Sequence, residues 1–328
     1  MSLHVIVGAG AVGSATAHEL ARACHDVRIV SRRGSGPAPP AGAAGAGAST
    51  TSIIADAADA ADPSAMQRIS DGAAAIYNCA NPPYNRWPTD WPPISRSLLT
   101  TASSTGAVLV TMSNLYGYGP VDHPMTESDP LASTGSKGRV RAAMWTDAIA
   151  AHESGRARVA EARASDFFGP GVTATSQIGD RLIPRLLVGK PVRVLGDPDA
   201  PHSWTYVPDV GRALAVLGTD ERAWGRAWHV PSAPPVPIRQ VVEMLAGLAQ
   251  LPTPRVSQLP RWAVRAVGAV SSLVRELDEV RYQFDRPFIL DSSAFASTFG
   301  AVATPLPAAL AATLSFFQLA ESTRCHAA

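Results

Sequence analysis

Cysteine is scarce in this 328-residue chain: Cys24, Cys79 and Cys325 lie far apart and fit neither a disulfide framework nor a zinc site. A reducing, cytoplasmic compartment is the expectation. Charge is thin and balanced, with 28 Lys and Arg against 27 Asp and Glu, a net +1, and 17% charged residues. An average soluble domain carries roughly 25%. No basic excess or stripe is available to neutralise phosphates, which argues against a nucleic-acid partner. Long apolar runs are missing too. The longest helical one, Trp262–Val274, contains Arg265 and falls short of the roughly 20 residues that span a bilayer, so no membrane partner is expected. The opening MSLHVIVGAG has no basic n-region, and glycines break its apolar run, unlike an export signal. A GxSxG nucleophile elbow is absent. The eight histidines do not cluster at metal-ligand spacings, and His123 reads as a solvated loop residue. No metal site is expected.

What is present is a rhythm of strand and helix. Short apolar runs at Leu3–Val7, Val27–Val30, Thr51–Ala55, Ala73–Asn78, Ala107–Thr111 and Arg158–Ala162 alternate with helical stretches at Ala11–Ala23, Trp91–Ser103 and Lys137–His152. Continuous apolar runs of this length mark strands covered on both faces. The alternation predicts an α/β fold, a Rossmann-like, doubly wound, mostly parallel sheet. The linker Gly34–Ala48, rich in Gly, Pro and Ala, reads as a surface crossover or alternatively a helix. Beyond residue 167 proline becomes frequent and the βαβ rhythm stops. Helices are predicted over Ile178–Val188, Arg239–Ala249 and Pro260–Leu277. Residues 1–166 therefore read as a dinucleotide-binding domain and 167–328 mostly as a smaller C-terminal substrate-binding cap.

The first strand runs into Gly8-Ala-Gly10-Ala11-Val12-Gly13 and then a helix. A bare GxGxxG is weak, but the strand before it and the helix after it are the context that a dinucleotide site needs. Gly8 serves the tight turn, Gly10 a close approach of backbone to pyrophosphate, and Gly13 the packing of helix on strand. The helix N-terminus supplies free N–H groups to the phosphates. At the end of the second strand, where an NAD site usually places an acid for the ribose 2′-OH, the chain reads Ser31-Arg32-Arg33. Two guanidinium groups suit a 2′-phosphate instead, so NADP(H) is favoured over NAD(H).

With these residues in view, the chain resembles an extended or atypical short-chain dehydrogenase/reductase of the NAD-dependent epimerase/dehydratase group. The motifs that carry the resemblance are Ala55-Asp56-Ala57-Ala58-Asp59, Tyr77-Asn78-Cys79-Ala80-Asn81, Leu115-Tyr116-Gly117, Phe168-Gly169-Pro170-Gly171 and Tyr206-Val207-Pro208-Asp209-Val210, in the family's order. The resemblance implies that Asp56 and Ala57 meet the adenine, and that Cys79 and Ala80 line the cofactor. It also implies that Tyr206–Ser232 returns to the first domain, and that helices flanking the sheet pair two copies into a homodimer.

Departures from the family pattern are informative. The family's proton donor is a Tyr four residues before a Lys, and the Lys both holds the ribose and lowers the phenol's pKa. Here Lys137 is present, but the place of the Tyr holds Ser133, and the family's Ser position falls on Met112, beside Ser113 and Asn114. Sugar-nucleotide members usually carry an Asn where this chain has Asp166, and an Arg where it has His202. Both changes remove affinity for a diphosphate. Tyr84, Trp87 and Trp91 read either as core anchors or as a wall of the substrate pocket, since ligands bind beyond strand C-termini. The stretch Tyr282–Phe288 reads as a lid or as packing.

The leading reading is an NADP(H)-binding oxidoreductase-like enzyme acting on a small, largely apolar carbonyl compound or alcohol. Lys137 would hold the ribose, Tyr116 or Tyr118 would supply the proton, and Ser113 and Asn114 would polarise the carbonyl. Two other readings stay open: a redox-inert NADP(H)-binding sensor or partner module, and a non-redox isomerase, cyclase or lyase.

Overall fold

The computed structural model describes residues 1–37, 52–173, 176–260, 276 and 278–327. β1 (Leu3–Val7), β2 (Asp26–Ser31), β3 (Ile53–Ala57), β4 (Ala73–Asn78), β5 (Val108–Asn114), β6 (Arg158–Ala164) and β11 (Arg226–His229) form one seven-stranded sheet in the order β11–β6–β5–β4–β1–β2–β3. Every pairing in it is parallel. The predicted α/β, Rossmann-like sheet is therefore the observed one. The chain enters at β1, winds outward through β2 and β3, and returns to β4 on β1's other side. Strand order reverses there, so the C-terminal ends of β1 and β4 border a crevice, with Val7 opposite Asn78.

Alternation along the strands separates two cores. Val5, Val7, Ile76, Leu109 and Val159 face α2 (Pro63–Ile69), α3 (Trp87–Thr105) and α4 (Ser136–Glu153). Ile6, Ile29, Tyr77 and Val110 face α1 (Ala11–Arg22) and α6 (Val207–Thr219), which supply Ala17, Leu20, Leu214 and Leu217. Burial on both faces explains why these strands read as unbroken apolar runs.

Several elements differ from the sequence reading. β3 begins at Ile53, in register with Val27, so it ends two residues later than Ala55. β5 runs on to Asn114 because β6 pairs along its whole length. α3 starts at Trp87 and carries Pro92 and Pro93 inside it. Trp87 and Trp91, four residues apart and both buried, anchor its first turns despite the hydrogen bonds that proline forfeits. The predicted helix Ile178–Val188 shrinks to α5 (Ile183–Leu187), since Pro184 can open a helix but not continue one. Most of Pro260–Leu277, the run Trp262–Val274 and the linker beyond residue 37 lie outside the described residues. Among the described residues, no helix is long and apolar enough to cross a membrane.

After β6 the chain builds small pairs: β7 (Asp166–Phe168) with β10 (Trp204–Tyr206), β8 (Val192–Val194) with β13 (Val256–Gln258), and β9 (Pro201–His202) with β12 (Val236–Pro237). α5, α7 (Ile238–Leu248) and the helix Leu306–Ala327 enclose a separate core with Leu186, Trp204, Val241, Leu245, Leu310 and Phe317.

His4 is fully buried in β1, its Nδ1 2.9 Å from the Tyr77 hydroxyl on β4 and its Nε2 2.9 Å from Ser2 Oγ. Burial, helped by the nearby His25, pushes its pKa down to about 4. The folded protein thus keeps His4 neutral while the unfolded chain protonates it near pH 6.5. Its contribution is complete above about pH 6.5 and is lost as pH falls towards about 4, to a total of roughly 3 kcal/mol. Urea unfolding at about pH 7.5 and about pH 4.5 should show this loss, and His4→Gln should flatten it by a similar amount. An unchanged slope in the variant would place the acid sensitivity elsewhere.

Candidate functional site

The glycine turn between β1 and α1 is built by close contact. Gly8 has φ +113°, and a Cβ there would lie 2.6 Å from the Cys79 carbonyl oxygen. A Cβ on Gly13 would lie 1.8 Å from the Gly8 carbonyl oxygen. Gly10 differs: it has φ −78°, and a Cβ added there meets no non-neighbouring atom within 4 Å. The first intrahelical bond runs from Ser14 N to Gly10 O at 2.9 Å, which leaves the N–H groups of Ala11, Val12 and Gly13 without helical acceptors. No side chain caps this end. Open space over Gly10, unspent donors and the positive end of the helix dipole fit a pyrophosphate.

Two contiguous cavities flank the turn, sharing Ala80 and Asn81. The first, about 370 Å³, runs past Gly8, Ser31, Arg32, Ala58 and Asp59. Arg32 lines it and Arg33 does not, although both are exposed. Asp56 and Ala57, expected at the adenine, are strand residues away from the cavity, and Asp56 lies 3.8 Å from Arg28. Because β3 runs two residues further than predicted, the turn that faces the cavity begins at Ala58, and Asp59 rather than Asp56 lines it. Arg86, which the sequence reading missed, also lines this cavity and binds Asp90 through Nε at 3.1 Å and Nη2 at 2.9 Å. The i, i+4 spacing of Arg86 and Asp90 was its signal.

The second cavity, about 280 Å³, lies over the ends of β4 and β5. Gly10, Ala11, Val12, Cys79 and Ala80 form its floor. Burial pushes the Cys79 thiol up to about 12, so it stays protonated at neutral pH. Ser113, Asn114, Tyr116, Tyr84, Trp87 and Asp166 form much of the wall. The Tyr116 and Tyr84 hydroxyls are 3.1 Å apart, and Asn114 Oδ1 accepts from Tyr116 N at 3.1 Å. Burial raises both phenols, Tyr116 well above the usual value, with the charges of Tyr84 and Asp166 adding to it.

Other expected residues lie elsewhere. Lys137 is 1% exposed and off the cavity wall; its Nζ meets Glu276 at 2.6 Å and Glu279 at 2.9 Å, while its backbone N–H donates to Glu279 at 2.7 Å. These two carboxylates, too distant in sequence to be read, hold the charge that was expected at the ribose. Tyr118 is buried between His229 Nε2 and Arg163 Nη1, each 2.7 Å from its hydroxyl, and also misses the cavity. Trp91 packs behind Trp87 as a core anchor. His202 stands behind Asp166, with Nε2 2.8 Å from Oδ2 and Nδ1 3.1 Å from the Gln283 carbonyl. Tyr282 packs edge-on against Phe288, and its neighbours Gln283 and Phe288 face the cavity instead. Ser133 sits against Gly119 and Gly138, away from the cavity. Arg141, one turn beyond Lys137, lines the cavity and was not anticipated. Among the described residues, no cluster of His, Cys, Asp and Glu could hold a metal.

A profile of the NAD dependent epimerase/dehydratase family matches residues 4–230. Among solved structures, MoeE5 in complex with UDP-glucose and NAD aligns over 97% of this chain and 99% of its own, at 22% identity and a TM-score of 0.76. The dTDP-glucose 4,6-dehydratase of Bacillus anthracis in complex with NAD covers 98% of each chain at 16% identity and a TM-score of 0.76. UDP-glucose 4-epimerase from Thermotoga maritima, with UDP-glucose, covers 97% of this chain and 99% of its own at 17% identity and 0.75. At such identities the likeness speaks for the fold. No curated protein matches in sequence.

The glycine turn separates packing from binding. Gly13→Ala should cost about 1–3 kcal/mol of stability through overpacking against Gly8. Gly10→Ala should leave stability within about 0.5 kcal/mol yet weaken dinucleotide binding about tenfold or more, read by calorimetry. Undiminished binding in Gly10→Ala would remove the phosphates from this turn.

Proposed function

The chain belongs to the NAD dependent epimerase/dehydratase family, and on that premise we propose that it is an NADP(H)-dependent oxidoreductase acting on a small, largely apolar carbonyl compound or alcohol. The observation that carries this reading is the pair of phenols, Tyr116 and Tyr84, in a cavity continuous with the glycine turn. Arg32 on the wall of the adjoining cavity, with no acid at the end of β2, favours a 2′-phosphate. Against a sugar nucleotide stand Asp166, a carboxylate on the cavity wall, and the buried His202 close behind it.

A bound nicotinamide supplies or accepts the hydride. The protein's task is to hold the carbonyl and handle the proton. Ser113 and Asn114 orient the carbonyl oxygen from the end of β5. The Tyr116 hydroxyl gives up its proton as the alkoxide develops, and Tyr84, 3.1 Å away, stabilises the phenolate left behind. A buried phenol with a raised pKa stays protonated at neutral pH, the form in which it can give a proton to the developing alkoxide. Near neutrality the donor is therefore in the protonation state that reduction needs. In reverse, the phenolate must form first, so alcohol oxidation quickens as pH rises. Lys137 lies further off, its ammonium 5.9 Å from the centre of the Tyr84 ring, where its positive charge favours negative charge on the pair of phenols.

A redox-inert nucleotide-binding module is the second reading, favoured by the commitment of Lys137 to Glu276 and Glu279.

Tyr116→Phe distinguishes the two. Under the enzymatic reading, NADPH consumption with a panel of small ketones and aldehydes falls by about 10²–10⁴-fold while cofactor affinity holds. Wild-type rates in this variant would reject Tyr116 as the donor, and no consumption by the wild type with any carbonyl would favour the inert module.

A further inference from the structure

Arg141 is a cation on the wall of the 280 Å³ cavity with no anion of its own among the described residues. It lies one helical turn after Lys137 on α4, is 6% exposed, and forms part of the cavity wall. Its guanidinium carbon sits 4.6 Å from the Trp87 ring centre and 4.3 Å from that of Trp91, in the corner between two rings that stand at 82° to each other. Among the described residues one hydrogen bond serves it, from Nη1 to the Met112 carbonyl at 3.3 Å, and its buried Nε finds no acceptor there. Among the described residues no carboxylate pairs with it. Glu161, the acid whose charge reaches it, is bound to Arg163 at 2.6 Å. Burial accordingly pulls Arg141 down to about 10. Buried charges are costly unless paired, and a planar guanidinium with unspent donors is shaped for a carboxylate. Asp166, the acid on the same cavity wall, is faced by His202 at 2.8 Å.

We propose that Arg141 is the anchor for a substrate carboxylate, so that the substrate is a small oxo acid, or the matching hydroxy acid, with an apolar body. The apolar body would lie along Trp87, Met112, Phe167 and Phe288, which line the same cavity. This deepens the proposed carbonyl reduction and rests on it. The two tryptophans hold the guanidinium in place, and its planar fork recognises the acid by direction as well as charge.

The test is a binding contrast on the full chain saturated with NADPH, with turnover followed separately. Pyruvate, 2-oxobutyrate and phenylpyruvate are titrated calorimetrically against their amides, which match them in shape without the charge. At least one acid should bind about tenfold or more tightly than its amide. Arg141→Met should erase the difference, and Arg141→Lys, which keeps the charge without the planar fork, should restore part of it. Equal binding of every acid and its amide by the wild type, no binding of any acid at millimolar concentration, or a preference that survives in Arg141→Met would overturn the assignment. If Arg141→Met does not fold, the wild-type contrast and Arg141→Lys decide. Turnover tells the two proposals apart. Acids that bind selectively without NADPH consumption would leave the anion site standing and reject the reductase. NADPH consumption with neutral ketones and no acid preference would do the reverse.

Discussion

The approach of α1 to β1 is the constraint on which the rest depends. Gly13 leaves no room for a side chain against the Gly8 carbonyl, and Gly8 presses on the backbone at Cys79. These two contacts fix the helix N-terminus over the point where the sheet reverses direction. With α1 set there, its free N–H groups face the crevice between β1 and β4, and the cavities on either side become two ends of one cleft. α6 then packs across α1 and feeds β11 to the sheet edge beside β6.

At the far end of that cleft the family's arrangement has been rebuilt around other groups. Lys137 remains on α4, but Glu276 and Glu279 hold it, so it ties α4 to a segment late in the chain. The phenols arrive from different elements: Tyr116 from the end of β5, and Tyr84 from the short turn that leads into α3. Trp87 and Trp91 support this turn from below and hold Arg141. A polar network of this kind sits in a low-dielectric setting, where each charge and donor weighs more than it would in water.

The sheet is legible in the sequence because its strands are covered on both faces and its turns are marked by glycine. The family likewise follows from its motifs. Ends of elements are less so: β3 slides by two residues because pairing with β2, not composition, sets its register, and the acid of this segment that lines the cavity is Asp59 rather than Asp56. The cavity residues of local motifs, Ser113, Asn114 and Tyr116, are found together on the wall. Arg141, and the partners of Lys137 and Tyr118, are not legible, since each depends on contacts between segments far apart in the chain. Lys137 meets acids 139 and 142 positions away, and Tyr118 meets a histidine 111 positions away.

The central claim is that this cleft takes a phosphorylated dinucleotide, gripped at its adenosine end by Arg32. Calorimetric titration with NADPH and with NADH tests it most directly. NADPH should bind at least about tenfold more tightly, and Arg32→Ala should bring the two affinities together while Arg33→Ala leaves the ratio nearly unchanged. Equal affinities in the wild type, or tighter binding of NADH, would contradict the account.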